Sequence, residues 1–216
     1  MTLFRLDASI FPAMSASRAL GDLVEEQWAA AHPDAPVIRR DLAGAPVPTE
    51  AWQHAVTAGF MPEADRTGEQ RDAVALAGTL AEELLGADAL LFTVPLYNFG
   101  VAQTFKTWFD LTVTDPRIGL ASSALGGKPA VLTTVQGGNY RPGTPKEGWD
   151  HSTPWLRRVL GDVWGLDLRV VERPFTLVGV DPALEAFSGM AAALKEEAEA
   201  DAVKFGRELS GAAVPR

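Results

Sequence analysis

The chain has 216 residues, of which 47% are hydrophobic, and it carries a formal net charge of −9 without a single cysteine. Nucleic acid and anionic membrane surfaces are therefore not expected as partners, because both require a positively charged surface. The lack of cysteine excludes thiol nucleophiles, disulfides and iron–sulfur clusters, so redox chemistry would need an organic cofactor. The length and composition predict a single α/β domain over residues 1–216.

Five short apolar runs are predicted to be strands of a parallel sheet. The runs are Leu3–Ala8, Val37–Leu42, Ala89–Val94, Ala130–Val135 and Leu168–Leu177. The third and fourth are almost entirely apolar, which is typical of parallel strands that are covered on both faces. Arg5 interrupts the first run, and Arg39 and Arg40 interrupt the second. We therefore expect these two strands to be less central or partly exposed.

Helical patterns separate the strands. The first predicted helix begins with Ser15 or Ser17 as its N-cap and continues to about Ala31. The second starts at the capping-box spacing that follows Thr67 and ends at Gly86.

Three further helices and two long irregular segments complete the pattern. The helices cover about 102–113, 153–165 and 183–209. Ser152 or Thr153 caps the middle one, with Pro154 at the favoured first helical position. Segments of about 43–66 and 136–151 show no regular pattern, and loops of this length are usually functional lids or oligomer contacts.

Strands that alternate with helices five times predict a doubly wound α/β sheet with helices on both faces. For five parallel strands, the flavodoxin-like order 2-1-3-4-5 is the simplest arrangement. Its switch point lies between the first and third strands, so the loops after these strands should face each other across a ligand-binding crevice.

The loop after the first strand carries hydroxyl groups where a phosphate would be expected. Ser9 precedes the triplet Ser15, Ala16 and Ser17 at the start of the first helix, and Arg18 is the only nearby cation. The N–H groups of a helix N-terminus, together with its dipole, favour an anion such as a phosphate. The alternative is that Ser15 or Ser17 is only a helix cap.

Aromatic and glycine residues follow the third and fourth predicted strands. Tyr97 and Phe99 offer flat contact to a flavin ring, while Asn98 and the loop amides can reach its polar edge. Gln136-Gly137-Gly138 form a loop whose backbone can approach a ligand closely. Core aromatics and plain turns are the alternatives for each loop taken alone. Together the three loops favour a site for flavin mononucleotide (FMN).

Other sites are not supported by the sequence. No G-x-G-x-x-G follows the first strand, and no G-x-S-x-G occurs. His32, His54 and His151 show no metal-ligand spacing, so we expect them at the surface and predict no metal site. The N-terminus lacks the pattern of a signal peptide, and no apolar run approaches membrane-spanning length, which predicts a cytoplasmic protein.

Several motifs resemble those of a known family. The R-L-D-A-S opening that ends at Ser9 and the M-S-A-S segment Met14–Ser17 resemble the start of FMN-dependent NADH-azoreductases, also called NADH:quinone oxidoreductases of the azoreductase type. P-L-Y-N-F at Pro95–Phe99 is similar to their P-M-Y-N-F loop, and Phe105–Asp110 is similar to their L-K-N-Y-F-D segment.

The resemblance implies a role for each loop. Ser9 and Ser15–Ser17 would hold the FMN phosphate. Four residues would line the isoalloxazine: Leu96, Tyr97, Asn98 and Phe99. The family's S-R-G-G loop aligns with Val135, Gln136, Gly137 and Gly138, so Val and Gln replace a hydroxyl and a cation near the ring.

The resemblance also implies a homodimer with two FMN sites at the subunit interface and a ping-pong cycle. NADH or NADPH would deliver hydride to the flavin, and a quinone or an aromatic azo compound would then accept the electrons. No side chain is assigned as catalytic, because positioning and the flavin account for the chemistry. A flavodoxin-like one-electron carrier and a specialised biosynthetic flavin reductase remain as alternatives.

Overall fold

The five predicted apolar runs form one parallel sheet in the computed structural model, which describes residues 1–211. The strands are β1 (Leu3–Asp7), β2 (Val37–Asp41), β3 (Ala89–Thr93), β6 (Pro129–Val135) and β7 (Asp167–Arg173), and two short strands, β4 (Leu96–Tyr97) and β5 (Gly100–Val101), form a separate hairpin. Their order in the sheet is β2-β1-β3-β6-β7, which confirms the predicted order 2-1-3-4-5. The single-domain assignment stays a prediction, and residues 212–216 lie outside the described part.

The helices cover both faces of the sheet, as predicted. Their bounds are α1 (Ala16–Ala31), α2 (Ala51–Ala58), α3 (Gly68–Gly86), α4 (Gln103–Thr112), α5 (Thr153–Leu156) and α6 (Ser188–Leu209). α1 and α6 share one apolar core with the sheet, and the other helices enclose a second core on the opposite face. No helix among residues 1–211 is both long enough and apolar enough to cross a bilayer.

Several elements differ from the predicted ones. The segment of about 43–66, which was predicted to be irregular, contains α2. In addition, α5 continues as a π-helix over Arg157–Val163. β7 ends at Arg173, four residues before the predicted end. The reason is local: Pro174 has no N–H to donate, and Phe175 has a φ of 59°, which turns the chain away from the sheet.

The prediction that the first strand is less central was wrong. β1 lies between β2 and β3, and Arg5 is only 4% exposed. Its guanidinium donates to Asp22 Oδ1 at 2.7 Å, to Glu25 Oε2 at 2.9 Å and to Asp7 Oδ1 at 3.2 Å. Burial alone would lower the pKa of Arg5, but these carboxylates outweigh it and raise that pKa. β2 lies at the sheet edge and is partly exposed, as predicted.

Two histidines, His32 and His54, are half-buried, although all three were predicted to lie at the surface. His32 is half-buried at the end of α1, where its ring lies 4.5 Å from the Trp28 ring. Its Nε2 is 3.0 Å from the backbone oxygen of Ser210, which joins the ends of α1 and α6.

The packing of α6 on α1 depends on Gly206. A Cβ atom at this position would lie 2.8 Å from the backbone oxygen of Val24 and 3.0 Å from Gln27 Cβ. Because the backbone oxygen belongs to a regular helix, it cannot move aside without separating the two helices.

We predict that Gly206→Ala lowers the free energy of unfolding by about 1–3 kcal/mol, the usual cost of overpacking. The control is Gly189→Ala in the same helix, where a Cβ would meet nothing within 4 Å. That change should leave stability unchanged or raise it by up to about 1 kcal/mol, because alanine favours helix. Urea unfolding followed by circular dichroism measures both, and equal effects would contradict the close-packing account.

Candidate functional site

Three loops meet at the carboxyl ends of β1, β3 and β6, which are neighbours in the sheet. We name them the first loop (residues 8–15), the hairpin (residues 94–101) and the glycine loop (residues 136–138). The hairpin contains two short strands, β4 (Leu96–Tyr97) and β5 (Gly100–Val101), which the sequence analysis did not predict.

The first loop ends in the N-terminus of α1. Ser15 is the N-cap: its Oγ accepts a hydrogen bond from the N–H of Arg18 at 3.2 Å and lies 3.0 Å from Ser17 Oγ. Of the two predicted caps, Ser15 is therefore the correct one, and Ser17 is fully buried in the first turn. The N–H groups of Ala16 and Ser17 meet no acceptor within residues 1–211. The helix therefore begins with two N–H donors available to an anion.

Arg18 is not free to face a ligand as a lone cation. Its Nη2 donates to Asp41 Oδ1 at 2.5 Å and to the backbone oxygen of Ser9 at 3.4 Å. This hydrogen bond from Arg18 holds the pKa of Asp41 below its usual value. The expected cation is thus paired with a carboxylate, and its second contact positions the first loop.

The hairpin turns on two residues in the left-handed region of backbone conformation. Asn98 has a φ of 50° and Phe99 a φ of 64° between β4 and β5. Positive φ at both central residues is typical of the type I′ turn, which suits a two-residue hairpin. Asparagine tolerates this conformation, whereas a bulky residue such as phenylalanine is strained in it, and such strain is common at functional sites.

Direct contacts join the hairpin to the first loop, as the predicted crevice requires. Tyr97 Oη lies 3.2 Å from Ser9 Oγ and accepts the N–H of Ile10 at 3.3 Å. Thr104 Oγ1, in the first turn of α4, donates to the backbone oxygen of Ala8 at 2.9 Å. Phe99 is 40% exposed, so it is not the core aromatic of the alternative interpretation.

At the glycine loop the backbone carbonyl groups are hydrogen-bonded within the protein, whereas two backbone N–H groups remain available to a ligand. The backbone oxygens of Gln136, Gly137 and Gly138 accept N–H groups from residues 175–177 at 3.0–3.2 Å. In contrast, the N–H groups of Gly137 and Asn139 have no acceptor in the described part of the chain. A Cβ at Gly137 would lie 2.7 Å from Leu177 Cδ1, so glycine fits this close approach best.

The glycine loop is also tied to α1 and to the start of α5. Thr133 Oγ1 on β6 donates to the backbone oxygen of Ser17 at 2.9 Å. Gln136 is 3% exposed, and its Nε2 donates to Asp150 Oδ2 at 2.6 Å. Its Oε1 is buried with no hydrogen-bond partner in the described residues. Gln136 was predicted from the sequence but Asp150 was not, since no local pattern links two residues so far apart.

The segment after the glycine loop lies against the hairpin. The Phe99 ring is 6.1 Å from Tyr140 and 5.3 Å from Trp149, both in edge-to-face geometry. The N–H of His151 donates to the backbone oxygen of Phe99 at 2.9 Å. Burial raises the pKa of Tyr140, so its hydroxyl remains protonated near neutral pH. We name Phe99, Tyr140 and Trp149 the aromatic wall.

Comparison with known proteins gives consistent matches over nearly the whole chain. A family model described as a flavodoxin-like fold matches residues 1–199. An FMN-dependent NADH:quinone oxidoreductase from Frankia casuarinae is 38% identical over 203 residues, which cover 93% of this chain and 96% of the relative. One of the same description from Streptomyces avermitilis is 36% identical over 211 residues, 97% of each chain.

Solved structures share the fold at lower identity. An azoreductase from Bacillus anthracis str. Sterne superposes with a TM-score of 0.78 at 20% identity, covering 96% of this chain and 99% of that one. An FMN-dependent NADH-azoreductase from Bacillus anthracis str. Ames Ancestor, solved in complex with FMN, has a TM-score of 0.69 at 17% identity. Its match covers 95% of this chain and 99% of that one.

Proposed function

The chain belongs to the flavodoxin-like family of FMN-dependent NADH:quinone oxidoreductases, and we propose that it transfers reducing equivalents from NADH through FMN to quinones and aromatic azo compounds. The observation that carries the proposal is that the first loop, the hairpin and the glycine loop follow neighbouring strands at one edge of the sheet. These loops, together with the first turn of α1 and the last residue of β6, hold every residue that was assigned to the cofactor from the sequence.

The first loop fits the phosphate of FMN. A phosphate group near neutral pH carries one to two negative charges and accepts several hydrogen bonds. Ser9, Ser15 and Ser17 supply hydroxyl groups, and the N–H groups of Ala16 and Ser17 lack other acceptors in the described chain. Because Arg18 is paired with Asp41, these neutral donors and the helix dipole would hold most of the phosphate charge.

The hairpin and the glycine loop fit the isoalloxazine. Leu96, Tyr97, Asn98 and Phe99 would lie along the ring, and Val135–Gly138 would contact its polar edge. Bound FMN would supply the hydride-carrying chemistry, because this cysteine-free chain has no redox-active thiol of its own. The contribution of the protein is to hold the ring in one orientation and to limit the access of water to it.

The aromatic wall supports flat aromatic compounds as acceptors. Phe99 and Trp149 are 40% and 48% exposed, although each large ring already packs against another. Quinones and azo dyes offer planar apolar faces that stack well on such rings. The one-electron carrier and the biosynthetic reductase fit less well, because the similar proteins are described as NADH:quinone oxidoreductases and azoreductases.

A homodimer is part of the proposal, and the placement of exposed apolar side chains supports it. We name one set, which follows the carboxyl ends of the strands, the apolar rim: Ile10, Phe11, Met14, Trp52, Val56, Phe60, Met61, Leu177, Val180, Phe187 and Met190. Concentration of such residues on one edge is typical of a protein interface. A second copy on this edge would place both cofactor sites at the interface. We also propose a cytoplasmic location, where NADH is available.

The first test is the absorbance spectrum of the purified protein with added FMN, before and after NADH. We expect a bound flavin whose absorbance NADH bleaches, and turnover with menadione and with a model azo dye. A protein that binds no FMN would overturn the proposed function. Binding of FMN without oxidation of NADH would instead favour the one-electron carrier.

The second test separates phosphate binding from helix capping at Ser15. We predict that Ser15→Ala lowers the ratio of FMN affinity to riboflavin affinity about tenfold, because one hydrogen bond to a charged group is lost. Loss of the cap alone costs about 1 kcal/mol of stability but changes both affinities equally. Fluorescence titration measures the ratio, with Ser123→Ala in an exposed loop as the control.

The third test concerns the apolar rim. Phe60 is 84% exposed at the end of α2, so a charge placed there should weaken association of two copies without unfolding the chain. We predict that Phe60→Glu raises the dimer dissociation constant at least about tenfold, as measured by sedimentation equilibrium. Leu120→Glu is the matched control, since Leu120 is 64% exposed but lies away from the rim. A monomeric wild-type protein would contradict the proposed homodimer.

A further inference from the structure

The amide of Gln136 has a single possible orientation. Its hydrogen-bond partner Asp150 is a carboxylate, which accepts hydrogen bonds but does not donate them. The NH₂ group of Gln136 must therefore face Asp150, and its carbonyl oxygen must point away from it. Asp150 cannot rotate out of this arrangement easily, because it also accepts the N–H groups of Ser152 and Thr153 at 2.8 Å and Thr153 Oγ1 at 2.6 Å.

The carbonyl oxygen that this arrangement turns away from Asp150 has no donor among residues 1–211. Gln136 is only 3% exposed, and its Oε1 is a buried acceptor without a hydrogen-bond partner in the described residues. Such a group costs stability unless a donor reaches it. The protein thus holds an oriented, desolvated acceptor on the first residue of the glycine loop, and the backbone N–H groups of Gly137 and Asn139, next in sequence, have no acceptor in the described residues.

The edge of a flavin ring has the complementary pattern. The pyrimidine edge of the oxidised isoalloxazine carries two carbonyl oxygens, O2 and O4, on either side of N3–H. N3–H is the only N–H donor of the oxidised ring system. The unpaired N–H groups of the glycine loop suit the carbonyl oxygens, whereas Gln136 Oε1 suits the N–H between them.

We infer that Gln136 Oε1 accepts the N3–H of the flavin and that Asp150 is the positioning residue that fixes it in this role. The inference rests on the proposed function, since it concerns the same cofactor site. It assigns a binding role to the position where the related S-R-G-G loop has arginine. A neutral acceptor for N3–H replaces a cation there. Gln136 would therefore favour a flavin ring that carries a proton, and no substituent, at N3.

The test is a cycle that removes each partner of the proposed hydrogen bond. FMN and N3-methyl-FMN, which has no N3–H, are titrated into flavin-free wild-type protein and into Gln136→Met, with affinity read from flavin fluorescence. Methionine has similar length but no acceptor of comparable strength. Gln27→Met is the control, because Gln27 lies on α1 and its side chain bonds, within residues 1–211, only to the exposed Arg207.

We expect wild-type protein and Gln27→Met to bind FMN about tenfold or more tightly than N3-methyl-FMN, the effect of one buried hydrogen bond. Gln136→Met should discriminate less than about threefold between them. Equal discrimination by wild-type protein and Gln136→Met would overturn the inference while leaving the proposed function intact. Failure of the wild-type protein to bind either flavin would overturn both.

A second measurement can overturn the inference with the wild-type protein alone. Wild-type protein loaded with FMN labelled with ¹⁵N at N3 should show an N3–H proton that is protected from exchange with water. The same proton should exchange faster in Asp150→Asn, because an asparagine can donate to Gln136 Oε1 and allow its amide to turn. An unprotected N3–H in the wild-type protein would overturn the inference.

Discussion

Neutralisation of the Arg5 charge is the constraint on which the rest of the structure depends. β1 can lie in the interior of the sheet, between β2 and β3, only because Asp7, Asp22 and Glu25 surround the buried guanidinium. A buried cation without such partners would cost several kcal/mol. Asp7 in turn accepts Thr93 Oγ1 at 2.7 Å, which ties the ends of β1 and β3 together. The two loops that leave these strands therefore start from a fixed separation, and the bond between Ser9 and Tyr97 closes the crevice between them.

The same pairing of charges shapes the phosphate site. An acidic chain would repel a phosphate if its nearby carboxylates were free. Arg18 is shared between Asp41 and the backbone oxygen of Ser9, so its charge is balanced while its geometry orders the loop. What remains to meet an anion is a set of neutral donors at the start of α1. Such a site depends on the geometry of its hydrogen bonds more than on long-range attraction, which favours a ligand held in one pose.

The sheet and most helix ends could be predicted because their determinants are local. β3 and β6 are nearly continuous apolar runs, and the capping box of Thr67 and Gln70 marks the start of α3. Three features escaped prediction because they depend on partners distant in sequence or on strain. Arg5 appeared to be a sign of exposure, since its partners Asp22 and Glu25 lie 17 and 20 residues later in the chain, on α1. The hairpin turns on Asn98-Phe99 rather than on the usual Asn-Gly, and α2 presents Trp52 and Val56 outward, which hides its pattern.

The placement of the candidate residues at one edge of the sheet could be predicted, but the hydrogen bonds that link them could not. Strand ends locate Ser9, Tyr97 and Gln136, because a parallel sheet brings its carboxyl ends to one edge. The direction of the Gln136 amide could not be read from the sequence, since it is set by Asp150 in another segment. That direction changes the chemistry of the site. The N–H groups of a glycine loop can serve many anions and carbonyls, whereas an oriented acceptor on the same loop favours a ligand that carries a donor as well as acceptors. The pairing of Gln136 with Asp150 therefore reduces the range of ligands that this loop can bind to those whose ring edge carries a donor as well as acceptors.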